Sequence, residues 1–205
     1  MDTLLPFTLT VFTGFFAIMN PIANVPIFSS LVQDADEATK KKISKNATII
    51  AFLIVVVFVV LGKFIFELFG ITIPAFKITG GILIFFVGFE MLQSKKSSVK
   101  HLKENAVIDE NIAVSPLAIP ILSGPGTIVT AMNFVAKGDF TEIGIVILVF
   151  GVICYMTYLA FNISDFIVRK LGNNVITVIS KLMGLIIAII GTSMIIQGVK
   201  VAFDI

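Results

Sequence analysis

Long uncharged stretches alternate with short polar ones from one end of the chain to the other. Thr3 to Gln33 runs for 31 residues without a charge, and Asn111 to Ala136 for 26. Each exceeds the ~20 residues that a helix needs to cross the hydrocarbon of a bilayer. Between and after them lie further apolar runs, which read as helices at this length. The pattern predicts six transmembrane spans: about Leu4 to Leu31, Asn46 to Phe66, Pro74 to Leu92, part of Asn111 to Ala136, Ile143 to Ser164 and Leu182 to Val199. The core of the second, Ile49 to Leu61, is β-branched or aromatic almost throughout, as suits a lipid-facing helix. Gln33 to Lys45 and Gln93 to Glu110 read as charged loops, the latter holding the one histidine, His101. Phe69-Gly70, Lys137-Gly138-Asp139 and Leu171-Gly172-Asn173-Asn174 read as short turns.

Two of these spans are interrupted. Pro21 and Pro26 fall inside the first, and Ser123-Gly124-Pro125-Gly126 inside the fourth. A proline removes a backbone donor and clashes with the preceding turn. The freed polar groups cost several kcal/mol each in hydrocarbon, roughly, unless protein or a wet cavity satisfies them. A helix broken at this depth is built for more than anchoring.

Composition fixes the class. The 205 residues are 57% hydrophobic and 14% charged, with mean hydropathy +1.05. That describes an all-α polytopic membrane protein in a single membrane domain, 1–205. The net charge of +2 resides in loops and points to no nucleic-acid partner. With the N-terminus outside, inner loops carry Lys40, Lys41, Lys42, Lys45, Lys95, Lys96, Lys100, Lys103, Arg169, Lys170 and Lys181. The outer ones carry Lys63, Lys77, Lys137 and Lys200. This bias of basic residues predicts both termini outside. The single Cys154 forms no intrachain disulfide. Met1-Asp2 lacks the basic start of a cleaved signal, so the first span is expected to be retained.

The halves resemble each other. Pro21 and Pro125 are 104 residues apart, Gly70 and Gly172 are 102 apart, and Gly81–Gly184, Gly88–Gly191 and Met91–Met194 are each 103 apart. Halves of about 1–100 and 104–205, with three spans each, would enter the membrane in opposite senses. Inverted repeats with a broken helix in each half place a ligand near the midplane, between the repeats, in secondary transporters.

The chemistry follows from the breaks. Asn20 and Asn24 offer amides beside Pro21, and carbonyls near Phe16 to Ile18 are expected to be free. Ser123 and Thr127 offer hydroxyls beside Pro125, and Gly124 and Gly126 let a ligand reach bare backbone. Restarting half-helices aim amides at a carboxylate, and carbonyl ends suit an ammonium or a small cation. The predicted substrate-binding set is therefore Asn20, Pro21, Asn24, Ser123, Gly124, Pro125, Gly126 and Thr127. Tyr155, Tyr158 and Asn162 share one face of span 5, with packing and lining roles equally open. The paired glycines Gly80-Gly81, Gly88, Gly184 and Gly191 read as close-packing positions. Glu90 and Asp165 are the coupling candidates, near the inner span ends. Proton coupling through them and sodium coupling through carbonyls and hydroxyls are both open. His101 has no metal-ligand companions, and no cofactor fingerprint is present, so neither an enzyme nor a metal site is expected.

The motifs Asn20-Pro21-Ile22 to Pro26-Ile27-Phe28, Ala75 to Leu83, Gly88-Phe89-Glu90-Met91-Leu92 and Ser115 to Ile128 resemble the MarC family over essentially the whole chain. Lys77 departs from the arginine more usual at its position. The resemblance implies a six-span, multi-pass prokaryotic inner-membrane protein, and for some members transport of neutral amino acids such as glycine and alanine. The leading expectation is a secondary transporter of small neutral amino acids, one half rocking against the other in alternating access. The alternative is a passive aquaporin-like channel for small polar solutes. Against the channel, the second break has no asparagine, and the single arginine, Arg169, lies at a span end. The expected partners are a small-molecule amino acid, the lipid bilayer and, as an open alternative, further copies in a homo-oligomer.

Overall fold

A computed structural model describes residues 4–93, 113–136 and 139–204. It consists of α1 (Leu4–Met19), α2 (Pro21–Leu31), α3 (Glu37–Phe69), α4 (Ile73–Leu92), a π-helical segment (Val114–Leu122), α5 (Pro125–Val135), α6 (Phe140–Asn162) and α7 (Ser164–Phe203). Among the described residues, five stretches are long and apolar enough to cross a membrane: Leu4–Leu31, Glu37–Gly62, Ile73–Leu92, Phe140–Asn162 and Asn174–Phe203. These answer to expected spans 1, 2, 3, 5 and 6. The fourth is two short pieces, the nine-residue π-helical segment and the eleven-residue α5. Neither reaches the ~20 residues of a full crossing. The loop with His101, Lys95, Lys96, Lys100 and Lys103, and also Lys137, lies outside the described residues.

Helix ends follow local chemistry. Asp36, Thr72 and Asp139 cap α3, α4 and α6, each side chain accepting from the amide three residues on. Gly70 closes α3 at φ 62°, where a side chain would be strained. Gly172 (φ 72°, ψ 158°) kinks α7 eight residues after it begins, at the expected turn. Hydroxyls inside the helices bond back to carbonyls four residues earlier, as at Thr8, Thr10, Thr13, Ser180 and Thr192. That device satisfies a polar group within its own helix.

Helix α3 shows how packing and lipid share a helix. Ile43, Ala47, Ala51, Val55 and Val59, spaced by four, are buried, while Ile49, Leu53, Val57 and Leu61 stay exposed. Two alanines in the buried stripe let neighbours approach closely. Helix α3 packs on α6, α5 and the π-helical segment; α1 packs on α6; α2 packs on α6 and α7; and α5 packs on α4. The tightest pairing joins α4 to α7. A β-carbon at Gly81 would lie 2.6 Å from the Gly191 carbonyl, one at Gly184 2.9 Å from the Gly88 carbonyl, and one at Gly198 3.0 Å from the Pro74 carbonyl. Here backbone touches backbone, at three levels of an antiparallel pair.

Contacts also sort the two ends of the molecule. Phe7 meets Phe134, Gly62 faces Met132, and Gly198 faces Pro74. The start of α1, the end of α5, the start of α4 and the end of α7 therefore share one end. Lys40, Lys41, Lys42 and Lys45 lie at the other, where Lys40 bonds Asp165 across to α7 (3.4 Å).

Candidate functional site

The first break sits at Asn20, whose backbone is left-handed (φ 41°, ψ 70°), a conformation asparagine tolerates better than most residues. Its Oδ1 accepts from the Ala23 amide (3.2 Å) and so caps α2. The Asn24 side chain reaches back, Nδ2 donating to the Met19 carbonyl (2.7 Å). The expectation of free carbonyls from Phe16 to Ile18 needs correcting in part. The Phe16 carbonyl accepts from the Asn20 amide (3.0 Å). The group that loses its partner to proline is the Ala17 carbonyl, because Pro21 has no N–H to donate.

The second break is built differently. Ahead of it the chain winds as a π-helix, and both the amide and the hydroxyl of Ser123 donate to the Ala118 carbonyl (2.9 and 2.8 Å). The Ser123 proton is thus committed to its own backbone. Gly124 then takes extended geometry (φ −66°, ψ 171°) and opens α5 with no side-chain cap. Pro125 has no N–H, so the amides of Gly126 and Thr127 form the uncapped first turn of α5. Such a turn carries the positive end of the helix dipole. One break therefore caps itself, and the other leaves its donors available.

The two breaks face each other. Helices α1 and α5 run antiparallel: a β-carbon at Gly14 would lie 3.9 Å from Thr130 Cγ2, and one at Gly126 3.0 Å from Ile18 Cδ1. Four residues along one helix match four along the other, and continuing that register sets Asn20 level with Gly124. Val87 of α4 completes this junction beside Gly126. The Gly126 surface expected to meet a ligand is thus partly covered by Ile18. Asn20, Ser123, Gly124, Gly126 and Thr127 are all buried, Pro21 is buried, Asn24 is half-buried and Pro125 is exposed.

Among the described residues, three buried side-chain polar atoms lack a hydrogen-bond partner: Asn20 Nδ2, Thr130 Oγ1 and Asn133 Oδ1. Asn20 is 3% exposed and Thr130 4%, so bulk solvent does not reach them. Buried groups left like this are rare and invite a ligand. Thr130 and Asn133 were not among the residues expected at the site. The readable signal was the spacing of Thr127, Thr130 and Asn133 by three, a polar stripe on an otherwise apolar helix.

The remaining candidates stand elsewhere. Thr157 of α6, whose hydroxyl donates to the Ile153 carbonyl (2.8 Å), lies 3.6 Å from the Met19 sulfur, which fixes the level of the first break on α6. Asp165 comes eight residues after Thr157, on α7, and its carboxylate engages Lys40. Glu90 is exposed near the end of α4. Lys77 donates to Gln197 of α7 (2.9 Å). Tyr155 and Tyr158 pack at 6.3 Å and line a groove between α3 and α6, away from the breaks.

Comparison with known proteins agrees on one family. The model described as the MarC family integral membrane protein matches residues 5–203. A UPF0056 membrane protein of Pyrococcus horikoshii is 43% identical, with 95% of each chain covered. The UPF0056 membrane protein YvbG of Bacillus subtilis is 39% identical, with 97% of each covered. Another, from Methanocaldococcus jannaschii, is 33% identical over 96% of this chain and 97% of its own. No solved structure matches.

Proposed function

Because the chain belongs to the MarC family of integral membrane proteins, we propose that it is a secondary transporter. It carries small neutral amino acids of the glycine and alanine kind across a prokaryotic inner membrane by alternating access. One observation carries the reading: two broken helices meet at one level, with an uncapped helix start on one side and an orphaned, buried amide on the other. The free amides of Gly126 and Thr127 suit a carboxylate, and the Ala17 carbonyl suits an ammonium. The Asn20 amide and Thr130 hydroxyl complete the polar lining. The apolar side chains of Ile18 and Val87 lie against Gly126 and suit a small apolar side chain.

The six-span, inverted two-half architecture belongs to this proposal, with the broken pair around Gly124 as the fourth of the six spans. Exchanging the halves turns α2 on α7 into α5 on α4, and α1 on α6 into the π-helical segment on α3. All four contacts occur. At an offset of 103, Gly81 answers to Gly184 and Gly88 to Gly191. The Gly81–Gly191 and Gly88–Gly184 contacts are then copies of each other, as around a two-fold axis. The lysine-rich end faces the cytoplasm and both termini face outward. Either Na+ or H+ is the coupling ion, and no cofactor or enzymatic step is involved.

Counterflow in proteoliposomes tests the function. Vesicles preloaded with unlabelled alanine should accumulate labelled glycine transiently and saturably, and an imposed sodium or proton gradient should drive uptake. Flux that stays linear in concentration without counterflow would instead support the aquaporin-like channel. The absence of any flux would remove transport altogether.

A further inference from the structure

One large cavity lies apart from the breaks. It is a groove of about 780 Å³ between α3 and α6, open on the outer face of the molecule. Its walls are polarised. Lys41 and Lys45 project from successive turns of α3 at one end, with Tyr158 of α6 beside them. One to two turns further on, ~10 Å by helical rise, the lining becomes Phe52 against Gly151, which has no side chain to fill the slot. Tyr155 flanks the middle, 61% exposed, with an apolar ring and a hydroxyl suited to the membrane–water boundary.

The charge at the basic end is not cancelled. The neighbouring carboxylates Glu37 and Asp165 both engage Lys40 (3.1 and 3.4 Å), one position before Lys41. Lys41 and Lys45 have no ion-pair partner among the described residues. A soluble anion would need the lysines but not the apolar trench. A zwitterionic lipid would need the trench but not the lysines. We propose that the α3–α6 groove is a binding site for an anionic phospholipid, its phosphate held by Lys41 and Lys45 and one acyl chain lying along Phe52 and Gly151. Basic pockets between membrane helices take such headgroups.

The test is native mass spectrometry and thermal melting of the full chain in detergent. It uses dioleoyl phosphatidylglycerol, dioleoyl phosphatidylcholine and glycerol 3-phosphate as probes. Phosphatidylglycerol should bind and raise the melting temperature, phosphatidylcholine with the same chains should bind roughly tenfold more weakly, and glycerol 3-phosphate should do neither. The double variant Lys41→Gln/Lys45→Gln removes exposed charges, so it should melt like the parent without lipid. It should lose roughly tenfold or more of its phosphatidylglycerol affinity and with it the headgroup preference. Gly151→Leu, which fills the slot, should weaken both lipids alike. Equal binding of the two lipids by the parent, or retained preference in the lysine variant, would overturn the proposal. So would competition by glycerol 3-phosphate as strong as that of the lipid, or a groove occupied by a second copy that Gly151→Leu releases as monomer without any lipid effect. If Gly151→Leu does not fold, the lysine variant decides alone.

Discussion

Asn20 does two jobs that one substitution can separate. Its Oδ1 caps α2, and its Nδ2 has no partner. Glycine tolerates the left-handed backbone and gives up only about a few tenths of a kcal/mol as a cap. Asn20→Gly should therefore melt close to the parent, yet lose the amide. A hydrogen bond to a charged group is worth ~1.5–3 kcal/mol, or roughly a tenfold to hundredfold rise in Kd for glycine or alanine. Unchanged affinity in the folded variant would move the site away from the break. Thr130 gives the complementary case. Thr130→Val keeps the shape and removes a buried hydroxyl whose lack of a partner costs about 1–3 kcal/mol. The ligand-free variant should be more stable than the parent, while its substrate affinity falls. Loss of stability would mean that the hydroxyl serves packing. Asn20 was legible in the chain because an asparagine beside a proline in an uncharged run is hard to place otherwise. Thr130 was not: threonine recurs in membrane helices, and only its lack of a partner distinguishes it.

At the level of elements, the α4–α7 contact makes a sharp prediction about glycine. Gly88 has backbone atoms of α7 within 2.5 Å of a β-carbon, whereas Gly144 in α6 has nothing within 4 Å. Gly88→Ala should destabilise the protein by about 1–3 kcal/mol or more, since a backbone cannot turn aside as a side chain can. Gly144→Ala should be neutral or stabilise by up to about 1 kcal/mol, through helix propensity. Chemical or thermal melts of the two variants check the order. That these glycines pack closely could be read in advance from their heptad spacing, but which of them meet could not: Gly81 lies on Gly191 and not on Gly184, its counterpart at an offset of 103. Nor could the π-helical stretch. Pro116 and Pro120 remove two backbone donors there, but spacing does not say whether the chain kinks, unwinds, widens by one residue per turn or, as at Pro26 in α2, stays helical. Ser123 resolves it by anchoring on Ala118.

At the scale of the molecule, helix contacts put the start of α1 and the end of α7 on one side and the α3 lysines on the other. With the lysines in the cytoplasm, a membrane-impermeant maleimide should label Asp204→Cys from outside whole cells and leave Asp34→Cys unlabelled until the cells are opened. The native Cys154 is buried and gives little background. Labelling of both positions from outside would overturn the topology. Class, five spans and both breaks were legible because charge and proline write them directly into the chain. How the breaks face one another was not, because it depends on contacts such as Ile18 with Gly126, whose register no local pattern encodes. The backbone contact between α4 and α7 also bears on how the protein could move. It joins α4 to α7 at three levels, so neither helix can swing away from the other without prising that joint apart. The pair is then a stationary spine, and opening toward either side falls to the helices hung upon it. Spin labels at the exposed Leu83 and Leu185 should keep their separation when substrate is added, while labels on α2 and α5 change theirs.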